Sequence, residues 1–177
     1  MRIVSGTHRG RNIKPPKNLP VRPTTDLAKE SLFNILNNLV DFEELRVLDL
    51  FSGTGSISYE FYSRGAREIT VVEQNYRCVD FIKKTTGLLK MPEIKVVQAN
   101  VFSFLKNSLQ YDLIFADPPY NIGRYEELTS AILNNELLSE DGILIIEHPA
   151  EILLSHFPGF YQLRNYGKVH FSFFRKE

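Results

Sequence analysis

An α/β fold, built on a mostly parallel seven-stranded sheet with an antiparallel hairpin at its carboxyl-terminal end and a small basic extension at its amino-terminal end, is the architecture this sequence predicts. Three observations carry it. From Leu45 onward, short apolar runs alternate with helical patterns, the mark of repeated strand-helix-strand units. Runs such as Leu113-Ile114-Phe115-Ala116 are continuously apolar, as expected of strands covered on both faces of a parallel sheet. The last pair of runs has no helical pattern between its members, so it closes as a hairpin.

Length and composition fit one domain with a proper core. The chain has 177 residues, of which 43% are hydrophobic, too many for a disordered segment and too few residues for two ordinary domains. A basic arm and leading helix, residues 1–41, are expected to precede the main domain at 42–177. Cys78 is the single cysteine, which excludes an internal disulfide and a zinc-cysteine cluster and fits a reducing, cytoplasmic setting. No apolar run approaches the length needed to span a bilayer. The balanced net charge hides an asymmetry: residues 1–25 hold six basic side chains and no acid, whereas the rest holds 15 basic against 21 acidic ones. A basic arm on an acidic body points to a polyanion, with Arg9 and Arg11 among the residues expected to meet phosphates.

Taken in order, Ser5-Gly6-Thr7-His8-Arg9-Gly10-Arg11 and the prolines that follow predict a short hairpin or extended segment with turns. Thr24, Thr25 or Asp26 then caps a helix whose Ala28, Leu32, Ile35, Leu36 and Leu39 form one apolar stripe. Strands are expected at 46–50, 69–73, 94–98, 111–116 and 143–147. Helices fall between them, near 55–64, 75–90, 101–109 and 124–137. The closing hairpin spans 160–165 and 168–175, where Val169, Phe171 and Phe173 alternate with His170, Ser172 and Phe174 as in a half-buried strand.

Two constellations carry chemistry. In Asp117-Pro118-Pro119-Tyr120, at the end of a core strand, the prolines stiffen the backbone and offer no N–H. What remains is a carboxylate, backbone carbonyls and an aromatic ring: an acceptor-only cluster beside a stacking surface, suited to a planar base with an exocyclic amino group. Adenine N6 and guanine N2 satisfy it equally. In Asp49-Leu50-Phe51-Ser52-Gly53-Thr54-Gly55, a carboxylate closes the first strand and two glycines shape the turn into a helix. Glu73 ends the next strand, 24 residues after Asp49, where an acid is placed to hold ribose hydroxyls. A dinucleotide is disfavoured, because the third glycine of its fingerprint is replaced by Ser58 and Asp49 would repel a pyrophosphate. An acid at that turn favours a cationic ligand; S-adenosylmethionine offers an ammonium, a ribose and an adenine.

These motifs resemble those of the class I S-adenosylmethionine-dependent methyltransferases, with their Rossmann-like fold, and Asp117-Pro118-Pro119-Tyr120 is similar to the subgroup that methylates exocyclic amino groups. The closer resemblance covers nearly the whole chain. Arg2-Ile3-Val4-Ser5-Gly6, Arg22-Pro23-Thr24-Thr25-Asp26, Asp49-Leu50-Phe51-Ser52-Gly53-Thr54-Gly55, Ser63-Arg64-Gly65-Ala66, Val72-Glu73 and Glu147-His148 are similar, in order, to the bacterial 16S rRNA guanine(966)-N(2) methyltransferases. The resemblance implies that Asp49, Gly53 and Gly55 hold the methionine end and Glu73 the ribose, with Gln74 beside it and Phe51, Ser52 and Asp117 also at the cofactor. Asn100 and Val101 stand at the adenine, where the family more often has an acid. Asp117 and Pro118 take the guanine amino group and Tyr120 stacks on the base. Arg22, Thr24, Thr25 and Pro119 are implied near the RNA, although helix capping is an equally good role for the threonines. The implied reaction is direct methyl transfer to guanine N2 of 16S rRNA, in an assembling small ribosomal subunit, with no metal and no obligate protein partner. A DNA or RNA adenine-N6 methyltransferase and a non-catalytic nucleic-acid-binding protein are the rivals.

Overall fold

The computed structural model describes residues 1–21, 25–106 and 109–176. Its centre is one seven-stranded sheet in the order β3-β2-β1-β4-β5-β7-β6. The strands are β1 (Arg46–Leu50), β2 (Glu68–Glu73), β3 (Ile94–Gln98), β4 (Tyr111–Ala116), β5 (Leu138–His148), β6 (Phe160–Tyr166) and β7 (Val169–Arg175). β1 to β5 pair in parallel, and β7 inserts antiparallel between β5 and β6. The chain runs outward from β1 to β3, then returns to place β4 on the other side of β1. The reversal opens a crevice at the carboxyl ends of β1 and β4, the place where open α/β sheets bind ligands.

Helices cover both faces. One face packs Val47, Leu113, Phe115, Ile145, Phe171 and Phe173 against α1 (Asp26–Leu36), α2 (Ser56–Ser63) and α3 (Tyr76–Leu89). The other packs Leu48, Ile114, Leu144, Ile146 and Phe174 against α4 (Val101–Phe104) and α5 (Tyr125–Asn134). Each fully buried Leu, Ile or Phe contributes about 1.5–3 kcal/mol, so the sheet is held from both sides.

The arm forms the expected hairpin. Arg2 bridges Asn12 antiparallel, and Ile3 donates to the Arg11 carbonyl at 3.0 Å. It lies along α2 from end to end. The buried Glu60 carboxylate accepts the N–H groups of Val4 and Ser5 at 2.8 and 3.0 Å and the Arg64 Nε at 2.9 Å. At the hairpin turn Thr7 donates to the Ser63 carbonyl at 2.7 Å. Gly6 permits that contact: it has a φ of 78°, and a Cβ there would stand 1.6 Å from the Ser63 oxygen. At the opposite end Lys29, 1% exposed, donates to the Arg2 carbonyl at 2.6 Å and to Ser56 Oγ at 3.2 Å. Burial lowers the Lys29 pKa, and the nearby Glu60 carboxylate opposes that shift. Thr25 is the N-cap of α1, its hydroxyl accepting the Ala28 N–H at 3.2 Å.

Four expectations shift. The helix placed at 101–109 is only the four residues Val101–Phe104, because Phe104 and Leu105 turn successively into the core; Asn107 and Ser108 lie outside the described residues. The helix placed at 124–137 stops at Asn134, and Glu136 takes a φ of 52°. The strand placed at 143–147 spans 138–148, since Ser139-Glu140-Asp141-Gly142, polar in sequence, is an irregularity inside the strand rather than its boundary. Residues 171–174 are buried on both faces, not alternately, because Phe171 and Phe173 join the core on one side of the sheet and Phe174 joins that on the other.

Candidate active site

The crevice is a cavity of about 790 Å³, within the range of roughly 300–1,000 Å³ usual for small-molecule sites. Its walls begin with the turn after β1. Phe51, Gly53 and Gly55 have φ values of 59°, 56° and 79°, so the chain leaves the strand through three left-handed residues. A non-glycine residue held at such a φ costs on the order of 1–3 kcal/mol, which Phe51 bears at the cavity wall. Phe51, Ser52 and Gly53 line the cavity; Gly55 does not. A Cβ at Gly55 would meet the Tyr59 ring at 2.9 Å, so helix packing by itself already requires a glycine there.

Asp49 stands at the cavity's floor, 1% exposed, and accepts a hydrogen bond from Ser58. The serine that replaces the third dinucleotide glycine is thus the partner of the acid that repels a pyrophosphate. Burial raises the Asp49 pKa from 3.8 to about 7, partly offset by the hydroxyls of Ser58 and Ser52 and reinforced by the charge of Glu73. An ammonium in the cavity would restore full ionisation. Glu73, also lining the cavity, accepts the Gly53 N–H at 2.9 Å and the Asn75 N–H at 2.7 Å. These bonds fix the carboxylate, and each oxygen keeps a further lone pair for a ribose hydroxyl. Gln74, Asn100 and Val101 continue the wall. The Asn100 carboxamide oxygen caps α4 by accepting from Ser103 at 3.3 Å, and its amide donates to Gln74 at 3.3 Å. Asp49 and Glu73 therefore suit an ammonium and a ribose, with a polar and apolar wall left for a base.

Across the crevice, Asp117 prolongs β4 by donating its N–H to the Leu50 carbonyl at 3.3 Å. Asp117, Pro118, Pro119 and Tyr120 all line the cavity, Pro118 buried and Tyr120 39% exposed at the rim. The Pro119 carbonyl accepts the Ile122 N–H at 2.8 Å and locks the turn. Behind the turn the Tyr125 ring is buried. Burial, then the charges of Asp117, Tyr120 and Glu147, push its phenol pKa upward, so it stays a neutral hydroxyl. Thr25 also lines the cavity, so its capping role and a place near the ligand coexist. Arg22 and Thr24 lie outside the described residues. Arg9 and Arg11 are exposed on the hairpin near Ser63, about 10 Å along α2 from the cavity.

With this geometry, a family model described as conserved hypothetical protein 95 matches residues 1–175. The chain belongs to that family. Ribosomal RNA small subunit methyltransferase D of Escherichia coli strain K12 is 30% identical, the match covering 100% of this chain and 90% of that protein. The solved structure of yhhF from Escherichia coli superimposes with a TM-score of 0.87 at 29% identity, over 100% of this chain and 98% of the other. The hypothetical protein TTHA0928 of Thermus thermophilus does so with a TM-score of 0.86 at 25% identity, over 98% of each chain. The fold is the Rossmann-like class I methyltransferase fold with an antiparallel carboxyl-terminal hairpin.

The cavity residues that sequence reasoning passed over are mostly apolar. Ile57, Phe102 and Ile122 line the cavity, and Arg124 stacks its guanidinium 3.7 Å from the Phe102 ring centroid while pairing with Glu127. Arg124, directly before α5, had a basic side chain beside the Asp-Pro-Pro-Tyr turn as its signal. Glu147 also lines the cavity, but its neighbour His148 does not. His148 accepts from Ser172 Oγ at 2.8 Å, donates to the Pro149 carbonyl at 2.9 Å, and has its pKa lowered by burial, the behaviour of a neutral structural histidine. No group of three or more His, Cys, Asp and Glu among the described residues is arranged to hold a metal ion, and no helix among them is long and apolar enough to cross a membrane.

Proposed function

We propose that this chain transfers the methyl group of S-adenosylmethionine to the exocyclic N2 of a guanine in the 16S rRNA of the small ribosomal subunit. One observation carries the reading: a single cavity joins Asp49 and Glu73 to the acceptor cluster Asp117-Pro118-Pro119-Tyr120. The rRNA class of acceptor is supported by the name of the Escherichia coli relative.

When bound, S-adenosylmethionine supplies an electrophilic methyl group on a sulfonium. The protein's task is therefore position. Asp49 would hold the ammonium and Glu73 the ribose hydroxyls, with Phe51, Ser52 and Gly53 around the methionine end. Gln74, Asn100, Val101 and Phe102 would receive the adenine. Asp117 and the Pro118 carbonyl would each accept one N–H of the target amino group, drawing its nitrogen out of conjugation and leaving the lone pair directed at the methyl. Holding the two partners in line turns a bimolecular encounter into a nearly unimolecular one. Tyr120 would stack on the base, with Pro119 and Thr25 at the rim. The proton released from the methylated nitrogen passes to Asp117 or to water. The base must leave its stack, which costs less in an RNA loop than in a duplex. Arg9, Arg11, Arg22 and Thr24 would meet the flanking RNA.

The test is nucleoside mass spectrometry after incubating the protein and S-adenosylmethionine with unmodified small-subunit particles and with naked 16S rRNA. N2-methylguanosine is the expected product, with the particle the better acceptor. N6-methyladenosine would transfer the reading to the adenine class, and cofactor binding without any methylated nucleoside would reject it.

A further inference from the structure

One buried carboxylate of the cavity has no part in that scheme. Glu147 is 5% exposed, lines the cavity and lies near the end of β5. Its predecessor Ile146 pairs with Ala116 of β4, so Glu147 stands abreast of Asp117, one strand spacing or roughly 4.8 Å away. Side chains alternate along a strand, and Val47, Phe115 and Ile145 belong to one face. Two residues further on, Asp49, Asp117 and Glu147 therefore stand on that same face. Opposite Glu147 on β7 is the buried Phe171, and Val169 closes the cavity beside it. The carboxylate thus shares an apolar-walled end of the cavity with Asp117, on the side away from Asp49.

The acceptor cluster alone does not choose a base. Asp117 and the Pro118 carbonyl count amino hydrogens, and guanine N2 and adenine N6 carry two each. What differs is the ring nitrogen beside the amino carbon: guanine N1 bears a hydrogen, adenine N1 a lone pair. A second carboxylate next to the first reads that difference. We propose that Glu147 is the specificity-determining residue, its carboxylate accepting the N1–H of the target guanine beside the amino group held by Asp117 and Pro118. Adenine would turn a lone pair against that carboxylate, the mismatch of acceptor against acceptor by which polar sites reject analogues most strongly. This rests on the guanine-N2 reading and adds the group that distinguishes guanine from other amino purines.

The probe is small-subunit rRNA carrying either guanine or 2-aminopurine at the nucleotide that receives the methyl. 2-Aminopurine keeps the amino group on C2 and replaces N1–H by a lone pair. The wild-type chain is expected to prefer guanine by about 100-fold or more in kcat/KM. Glu147→Gln, whose carboxamide serves either partner, should narrow that preference by about tenfold or more, with S-adenosylmethionine affinity within about threefold of wild type as the sign of an intact fold. Glu147→Asp, which withdraws the carboxylate by one methylene, should slow guanine by about tenfold or more and leave 2-aminopurine unchanged. Equal use of the two RNAs by the wild type, or equal slowing of both by Glu147→Asp, would overturn the role of Glu147. Absence of N2-methylguanosine with the wild-type chain would instead overturn the function on which it rests.

Discussion

Asp49 is the residue at which burial and ligand chemistry oppose each other most directly. Its carboxyl ionises near 7 when the cavity holds no cation, against about 4 in an unfolded chain. The folded state therefore holds its proton more tightly, and stability falls as pH rises from about 4 to 7, the loss being complete above 7. Asp49→Asn removes that cost while keeping an acceptor for Ser58. The variant should melt higher than the wild type above pH 7 and show no gain near pH 4, by scanning calorimetry. The same substitution should weaken S-adenosylmethionine binding about 10- to 100-fold, the worth of a charged hydrogen bond. Wild-type affinity should rise with pH up to about 7 and level off, whereas the variant's should be flat; a flat wild-type profile would remove Asp49 from the ammonium site. At this scale the sequence was readable in position: Asp49, Glu73 and Asp117, singled out at strand ends, line one cavity. It did not display the packing demand on Gly55, because the Tyr59 ring that forbids a Cβ there comes from the next helical turn.

Among the elements, the amino-terminal hairpin is tied to the fold by charge. Glu60 is fully buried and serves three donors, two from the hairpin backbone and one from Arg64. Glu60→Ala leaves those N–H groups and the Arg64 Nε without their acceptor and removes the charge that balances the buried Lys29, and loss of one partner of a buried pair costs about 3–5 kcal/mol. Urea unfolding should show that loss, and limited proteolysis should cut the hairpin before the rest of the chain; an unchanged midpoint would mean that the arm docks through Ile3 and Ile13 alone. The strand positions 46–50, 94–98 and 111–116 were legible in full because short, largely apolar runs stand between helical patterns. The early part of β5 was not, since Asp141 with a φ of 62° and the following Gly142 read as a loop. Nor did sequence reveal that β7 is buried twice over: this depends on the cores of both faces of the sheet reaching it.

Over the whole molecule, charge is segregated by height along the sheet. Glu73, Asp49, Asp117 and Glu147 stand at the carboxyl ends of β2, β1, β4 and β5, four neighbouring strands. A cavity so rimmed attracts cations and donor edges but repels a phosphate backbone. The amino-terminal segment answers this from outside, carrying exposed Arg9, Arg11, Lys14 and Lys17. A formal net charge of zero thus combines an acidic chemical site with a basic approach. The sequence displayed both halves, as a charge step near residue 25 and as acids at strand ends. The apolar walls from Ile57, Phe102 and Ile122 emerged only when separate loops closed on one space. The central claim is that the acceptor cluster performs the transfer while the acids of β1 and β2 hold the cofactor. Its most direct test is Asp117→Ala, with S-adenosylmethionine affinity by calorimetry and single-turnover methyl transfer to small-subunit particles measured on the same preparation. The account predicts affinity weakened by less than about tenfold and a transfer rate lowered by about 100-fold or more; a transfer rate equal to wild type would contradict it.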